Sequence, residues 1–185
     1  MAWGILFWLL PITGARPVVQ TPLGVAEGRW ETTGVERYGA LPYALPPVGP
    51  RRFAAAQLDE RPWGKLDAGA LGAPCINDPL GDPRAMPLDT EEPPAPSEDC
   101  LKLNIWRPSN GTKLPVMVWN FGGGLCSGYA GSRSFNGSNF ALEHGVIVVT
   151  VSYRLGALGF LVSEDFDGPG NGGMNGIRDI AVALK

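Results

Sequence analysis

An α/β fold, with a central and mostly parallel sheet preceded by an N-terminal hairpin, is predicted from three features. Residues 115–119 and 146–153 are continuous apolar and β-branched runs, the pattern of strands covered on both faces. A helix-capable segment, residues 139–144, lies between them, so the three read as strand, crossover and parallel strand. Glycine (26) and proline (18) make up nearly a quarter of the 185 residues, which suits a fold with many loops rather than a helical bundle.

Length permits one ordinary domain with a buried core. A formal net charge of −3, with no basic cluster beyond Arg51-Arg52, gives no reason to expect a nucleic-acid partner. The first fifteen residues stand apart. Residues 4–12 (GILFWLLPI) are apolar, and Thr13-Gly14-Ala15 offers small residues before Arg16. The run is too short for a stable membrane span, which needs about 20 residues, and has the length of a signal-peptide core, though its n-region has no Lys or Arg. Residues 1–15 therefore read as a signal peptide and 16–185 as the exported portion; a buried N-terminal strand and an uncleaved anchor are the alternatives. Asn110-Gly111-Thr112 and Asn136-Gly137-Ser138 are glycosylation acceptors that agree with export. The three cysteines, Cys75, Cys100 and Cys126, permit one disulfide and one free thiol. With His144 the only histidine, no Cys/His cluster exists for zinc.

Along the chain, residues 18–30 read as a small hairpin broken at Thr21-Pro22 and Gly24. Residues 39–52 (GALPYALPPVGPRR) are an extended loop in which the prolines forbid a helix. Residues 71–96 form a second loop, rich in Pro, Asp and Gly and long enough to need a tether in a compact domain. Residues 101–106 alternate, Leu101, Leu103 and Ile105 on one face against Lys102, Asn104 and Trp106 on the other, as in a half-buried strand. Asn175 is a good N-cap for a last helix carrying Ile177, Ile180, Ala181 and Leu184 on one face. That helix runs to Lys185 without a glycine cap or a following strand, and two buried parallel strands need further layers. The chain is therefore expected to be cut short of a whole domain.

The residues that carry chemistry follow the strand at 115–119. Phe121-Gly122-Gly123-Gly124 places three glycines in a row, which lets the backbone turn sharply and present N–H groups unobstructed by side chains. An isolated triplet is more often a flexible turn. Placed after a buried strand, it matches the loop that stabilises the oxyanion in serine hydrolases of α/β type. No Gly-x-Ser-x-Gly nucleophile elbow occurs in the sequence. Gly124-Leu125-Cys126-Ser127-Gly128 formally reads Gly-x-Cys-x-Gly. Two further glycines precede it and loop residues follow, where an elbow needs a strand and a helix; His144 is its sole candidate base and reads as a surface residue.

Glu98-Asp99-Cys100-Leu101-Lys102-Leu103-Asn104-Ile105-Trp106 resembles the type-B carboxylesterase signature. Other blocks of that family occur in order around it: Leu41-Pro42-Tyr43-Ala44, Pro46-Pro47-Val48-Gly49, Arg52-Phe53, Pro62-Trp63, Pro115-Val116-Met117-Val118-Trp119 before the glycines, Ser152-Tyr153-Arg154-Leu155-Gly156, Leu158-Gly159-Phe160 and Gly170-Asn171. The resemblance runs from about Val18 to the end and implies the N-terminal portion of an α/β-hydrolase domain.

It implies Gly123 and Gly124 as oxyanion-hole donors. Cys75 and Cys100 resemble the pair closing the family's first disulfide loop, which would tether residues 71–96. Glu98 with Arg52, and Arg154 with Asp179, resemble its structural ion pairs. The implied activity is hydrolysis of small carboxylic esters by a downstream serine, without a cofactor; the alternative is a non-catalytic extracellular binding protein on the same fold. Phe121 stands where many carboxylesterases keep His, closer to the cholinesterase branch. Yet residues 89–92 (DTEE) hold no tryptophan to stack choline. Residues 172–174 read as an insertion after the Gly170-Asn171 block.

Overall fold

The computed structural model describes residues 14–76, 94–163 and 173–185. The expectations for the signal segment, for the acidic stretch at 89–92 and for Gly170-Asn171 lie outside these residues.

The predicted hairpin is β1 (Val18–Thr21) and β2 (Gly24–Glu27), antiparallel. The Thr21 hydroxyl caps its turn, donating to the Gly24 carbonyl at 2.9 Å and accepting the Leu23 amide at 3.2 Å. A strand at Gly64–Asp67 (β5) completes a small sheet of order β1-β2-β5 by pairing parallel with β2. The larger sheet comprises β3 (Arg29–Thr32), β4 (Val35–Pro42), β6 (Lys102–Pro108), β7 (Val116–Asn120) and β8 (Ile147–Val151), in the order β3-β4-β6-β8-β7. The α-helices among the described residues are α1 (Ser138–His144), α2 (Gly156–Phe160) and α3 (Asn175–Ala183).

The expected parallel pair is present: β7 and β8 run parallel, joined by the glycine loop and α1. The other pairings of this sheet are antiparallel, so within the described residues the sheet is mixed rather than mostly parallel. Parallel neighbours need a crossover of a dozen or more residues, and β3 and β4 are joined by a tight turn too short to supply one.

Strand β8 is buried on both faces, which explains its unbroken Ile-Val-Val-Thr-Val. Val148 packs with Val35, Trp106 and Ala141 of α1, while Val149 and Val151 pack with Tyr43, Leu101 and the α3 residues Val182 and Ala183. Strand β7 lies at the edge of the sheet formed by the described residues, with Val116 58 % and Trp119 46 % exposed. The half-buried reading of β6 also needs correction. Asn104 and Trp106, assigned to the outer face, are buried, because α1 covers that side. Asn104 is accommodated by hydrogen bonds: its amide donates to Thr150 Oγ1 at 3.1 Å, and its carbonyl accepts the Ala40 N–H at 3.1 Å, where the β4–β6 register shifts.

The prolines of residues 39–52 do exclude an α-helix, but β4 runs through to Pro42 and a single 3₁₀ turn forms at Gly49–Arg51. Cys75 and Cys100 form a disulfide with Cα atoms 5.0 Å apart, and Cys126 is a free, exposed thiol. The bridge closes a loop with a sequence separation of 25, a constraint on the unfolded chain of about 3.5 kcal/mol. Peptide mapping without reductant is expected to return a Cys75–Cys100 peptide, and reduction to lower the unfolding midpoint. A Cys100–Cys126 link would contradict this arrangement.

Helix α3 corrects one detail. Asn175 is its first residue, and its side chain does not cap the helix but donates to the Phe53 carbonyl at 2.7 Å. The buried side is Asn175, Gly176 and Asp179, whereas Ile177 and Leu184 are exposed. A carboxylate faces inward because it has a buried partner, described next.

Candidate functional site

The site begins where β7 ends. Phe121 is buried, and residues 122–126 swing out into solvent. Gly123 has φ +139° and Gly124 φ +61°, conformations that side chains resist. The carbonyl of Gly123 closes a tight turn, accepting the amides of Cys126 and Ser127, both at 3.1 Å, and the Ser127 hydroxyl at 3.2 Å. A Cβ on Gly123 would lie 2.0 Å from the Ser127 carbonyl oxygen, so glycine is required there by space as well as by φ. Among the described residues, the N–H groups of Gly122, Gly123 and Gly124 donate to no protein acceptor, and all three glycines are exposed.

Two anchors hold this loop, both from the segment that follows β8. The Tyr153 hydroxyl donates to the Phe121 carbonyl at 2.6 Å, and the two rings stack with centroids 4.6 Å apart. Burial pushes the Tyr153 phenol above its ordinary range, which keeps it a proton donor. The Gly156 N–H donates to the Leu125 carbonyl at 2.8 Å, and Leu125 sits at φ +62°. On the inner side of the loop, Gly128 lies against the Phe121 ring, where a Cβ would come within 2.3 Å of it.

The two expected ion pairs have different surroundings. Arg154 and Asp179 are buried; the carboxylate takes Arg154 Nη2 at 2.7 Å, Nε at 2.8 Å and the Arg154 backbone N–H at 3.0 Å. The remaining guanidinium nitrogen donates to the carbonyls of Arg52 (3.0 Å) and Ala54 (2.8 Å). Arg52 meets Glu98 through two contacts, at 2.7 and 2.9 Å, near the surface. The Tyr43 hydroxyl donates to the Ser152 carbonyl at 2.7 Å; burial first, and then the Asp179 charge, raise its pKa well above that of a free phenol.

Cys126 occupies an exposed turn, with no strand at Gly124 and no helix after Gly128. His144 is exposed at the end of α1, its ring 5.5 Å from that of Phe140. Neither has the surroundings of an activated nucleophile. The anchoring roles of Tyr153 and Gly156 had no signature in spacing or composition; only the fold shows that they reach back to the glycine loop.

The sequence profile of the carboxylesterase family matches residues 15–185. The chain belongs to that family. It is 38 % identical over 182 residues to carboxylesterase 3 of Homo sapiens, covering 92 % of this chain and 31 % of the relative. It is 39 % identical over 169 residues to para-nitrobenzyl esterase of Bacillus subtilis (strain 168), covering 91 % and 33 %. A solved structure of PNB esterase superposes with a TM-score of 0.79 at 39 % identity, over 91 % of this chain and 34 % of that one. The fold is therefore part of an α/β-hydrolase fold, and the chain spans about a third of the length of the relatives it matches.

Proposed function

We propose that this chain is the oxyanion-binding portion of a serine carboxylic ester hydrolase acting on small-molecule esters. The observation that carries the reading is the set of exposed, unpartnered amides after β7, in a loop whose Gly123 and Gly124 cannot be replaced without strain. In the reaction a serine oxygen attacks the ester carbonyl, and the carbonyl oxygen takes up the negative charge. The N–H groups of Gly123 and Gly124 stabilise that charge. The tetrahedral centre collapses, the alcohol leaves with a proton from the general acid, and water repeats the sequence on the acyl-enzyme. The serine, its histidine and the carboxylate belong to parts of the family's domain that this chain does not span. No cofactor enters the scheme. No observation supports the binding-protein alternative.

Two activity measurements test the reading. A chimera carrying residues 15–185 in place of the matching segment of the B. subtilis para-nitrobenzyl esterase should hydrolyse p-nitrophenyl acetate with saturable kinetics. A folded but inactive chimera would count against the assignment. The 185-residue chain alone should hydrolyse the same ester no faster than its denatured control, because among the described residues no nucleophile is paired with a base. Saturable turnover abolished by Cys126→Ala would instead make the Gly-x-Cys-x-Gly segment a nucleophile.

Export through the secretory pathway, with removal of residues 1–15, is part of the same proposal. It rests on the apolar N-terminal segment, the disulfide and the two acceptor sequences. Among the described residues no helix is long and apolar enough to cross a membrane. Asn110 is exposed, whereas the Asn136 side chain is engaged with Glu31 at 2.7 Å and with the Ser138 N–H at 2.9 Å. Asn110 is therefore the better placed acceptor of the two, and glycopeptide mapping of secreted material would show which carries sugar.

A further inference from the structure

We infer that Tyr153 is a positioning residue for the glycine loop, acting through the Phe121 carbonyl; the inference rests on the proposed oxyanion role of that loop. Three observations support it. First, a loop with unpaired amides at Gly122, Gly123 and Gly124 has few internal bonds to hold it, the Gly123 turn being the main one. Its placement must come from the two ends. Second, both ends are tied to one short segment: Phe121 to Tyr153 through hydroxyl and ring, and Leu125 to Gly156 through the backbone. Third, that segment is itself immobilised between its two contacts, because Arg154 is buried against Asp179 and bonded to the carbonyls of Arg52 and Ala54.

A chain of fixed groups therefore runs from α3 through Arg154 to the glycine loop. Donors stabilise a developing oxyanion only if they are held in place before the charge appears. Small displacements at such a site are costly to rate. Tyr153 is buried and acts through the Phe121 carbonyl, its hydroxyl setting where the first glycine starts. The phenol is protonated through neutral pH, so this contact does not switch in the physiological range.

The test is Tyr153→Phe, which keeps the ring stack and removes only the hydroxyl. In the 185-residue chain, hydrogen exchange at the Cys126, Ser127 and Gly156 amides should accelerate tenfold or more, with the amides of β8 unchanged. A purely structural role would speed β8 and the loop together. In the para-nitrobenzyl esterase chimera, kcat should fall about tenfold with KM within twofold. Unchanged local exchange, or acceleration spread equally over β8, would overturn the inference, as would an unaltered kcat. An inactive unsubstituted chimera would contradict the oxyanion reading itself, while the exchange measurement would still decide whether Tyr153 positions the loop.

Discussion

Alanine at Gly123 is expected to lower kcat of the chimera by about 100-fold or more, with KM little changed. The added Cβ would stand 2.0 Å from the Ser127 carbonyl oxygen at a φ of +139°, so the peptide must rotate or the turn must open. Either movement displaces the Gly123 N–H. Loss of one oxyanion donor costs about 3–4 kcal/mol in the barrier, a change confined to the transition state and hence to kcat. Gly124→Ala should be milder. At Gly124 a Cβ meets nothing within 4 Å, and only the left-handed φ of +61° opposes the side chain. Steady-state kinetics on p-nitrophenyl acetate would measure both. Equal kcat for Gly123→Ala and the parent would remove that amide from the oxyanion hole.

The second large effect is on stability. Replacing Asp179 by Asn leaves the buried Arg154 guanidinium without its counter-charge. Removing one partner of a buried pair costs about 3–5 kcal/mol, far more than the loss of an exposed pair. Urea unfolding of the variant should show a midpoint lowered accordingly. Glu98→Gln, at the surface pair with Arg52, should shift it by about 1 kcal/mol or less. Two small, equal shifts would mean that Arg154–Asp179 does not hold the α3 end of the domain.

The readings that succeeded rest on strong local signals. The uninterrupted β-branched run of β8 marks a strand covered on both faces. The glycine triplet after an apolar strand marks a loop of exposed amides, and the ordered family blocks supplied the Cys75–Cys100 pairing. What the sequence concealed was decided by tertiary partners. Strand β4 contains Glu36, Arg37 and Gly39 and so reads poorly as a strand. Arg37 is nonetheless buried, because Glu31 (3.2 Å) and the Gly69 carbonyl (2.6 Å) meet its guanidinium. Periodicity marked an apolar face on α3 but gave no sign that Asp179, on another face, would be its buried residue; Arg154 supplies the partner that permits it. Strand β7 resembles β8 in composition, and its place at the edge of the described sheet is set by which strands pair with it, not by its own pattern. Tyr153 illustrates the same limit at the site: its block is recognisable, but its hydroxyl reaching Phe121 is a fact of three dimensions.

Binding of an oxyanion by the Gly123 and Gly124 amides would be seen directly in a crystal structure of the chimera inactivated by a p-nitrophenyl phosphonate. The serine oxygen bonds to phosphorus, nitrophenolate leaves, and the remaining phosphoryl oxygen occupies the oxyanion position. That oxygen is expected within about 2.7–3.1 Å of both the Gly123 and the Gly124 nitrogens. A phosphoryl oxygen held by other donors, or facing solvent with both glycine amides unengaged, would contradict it.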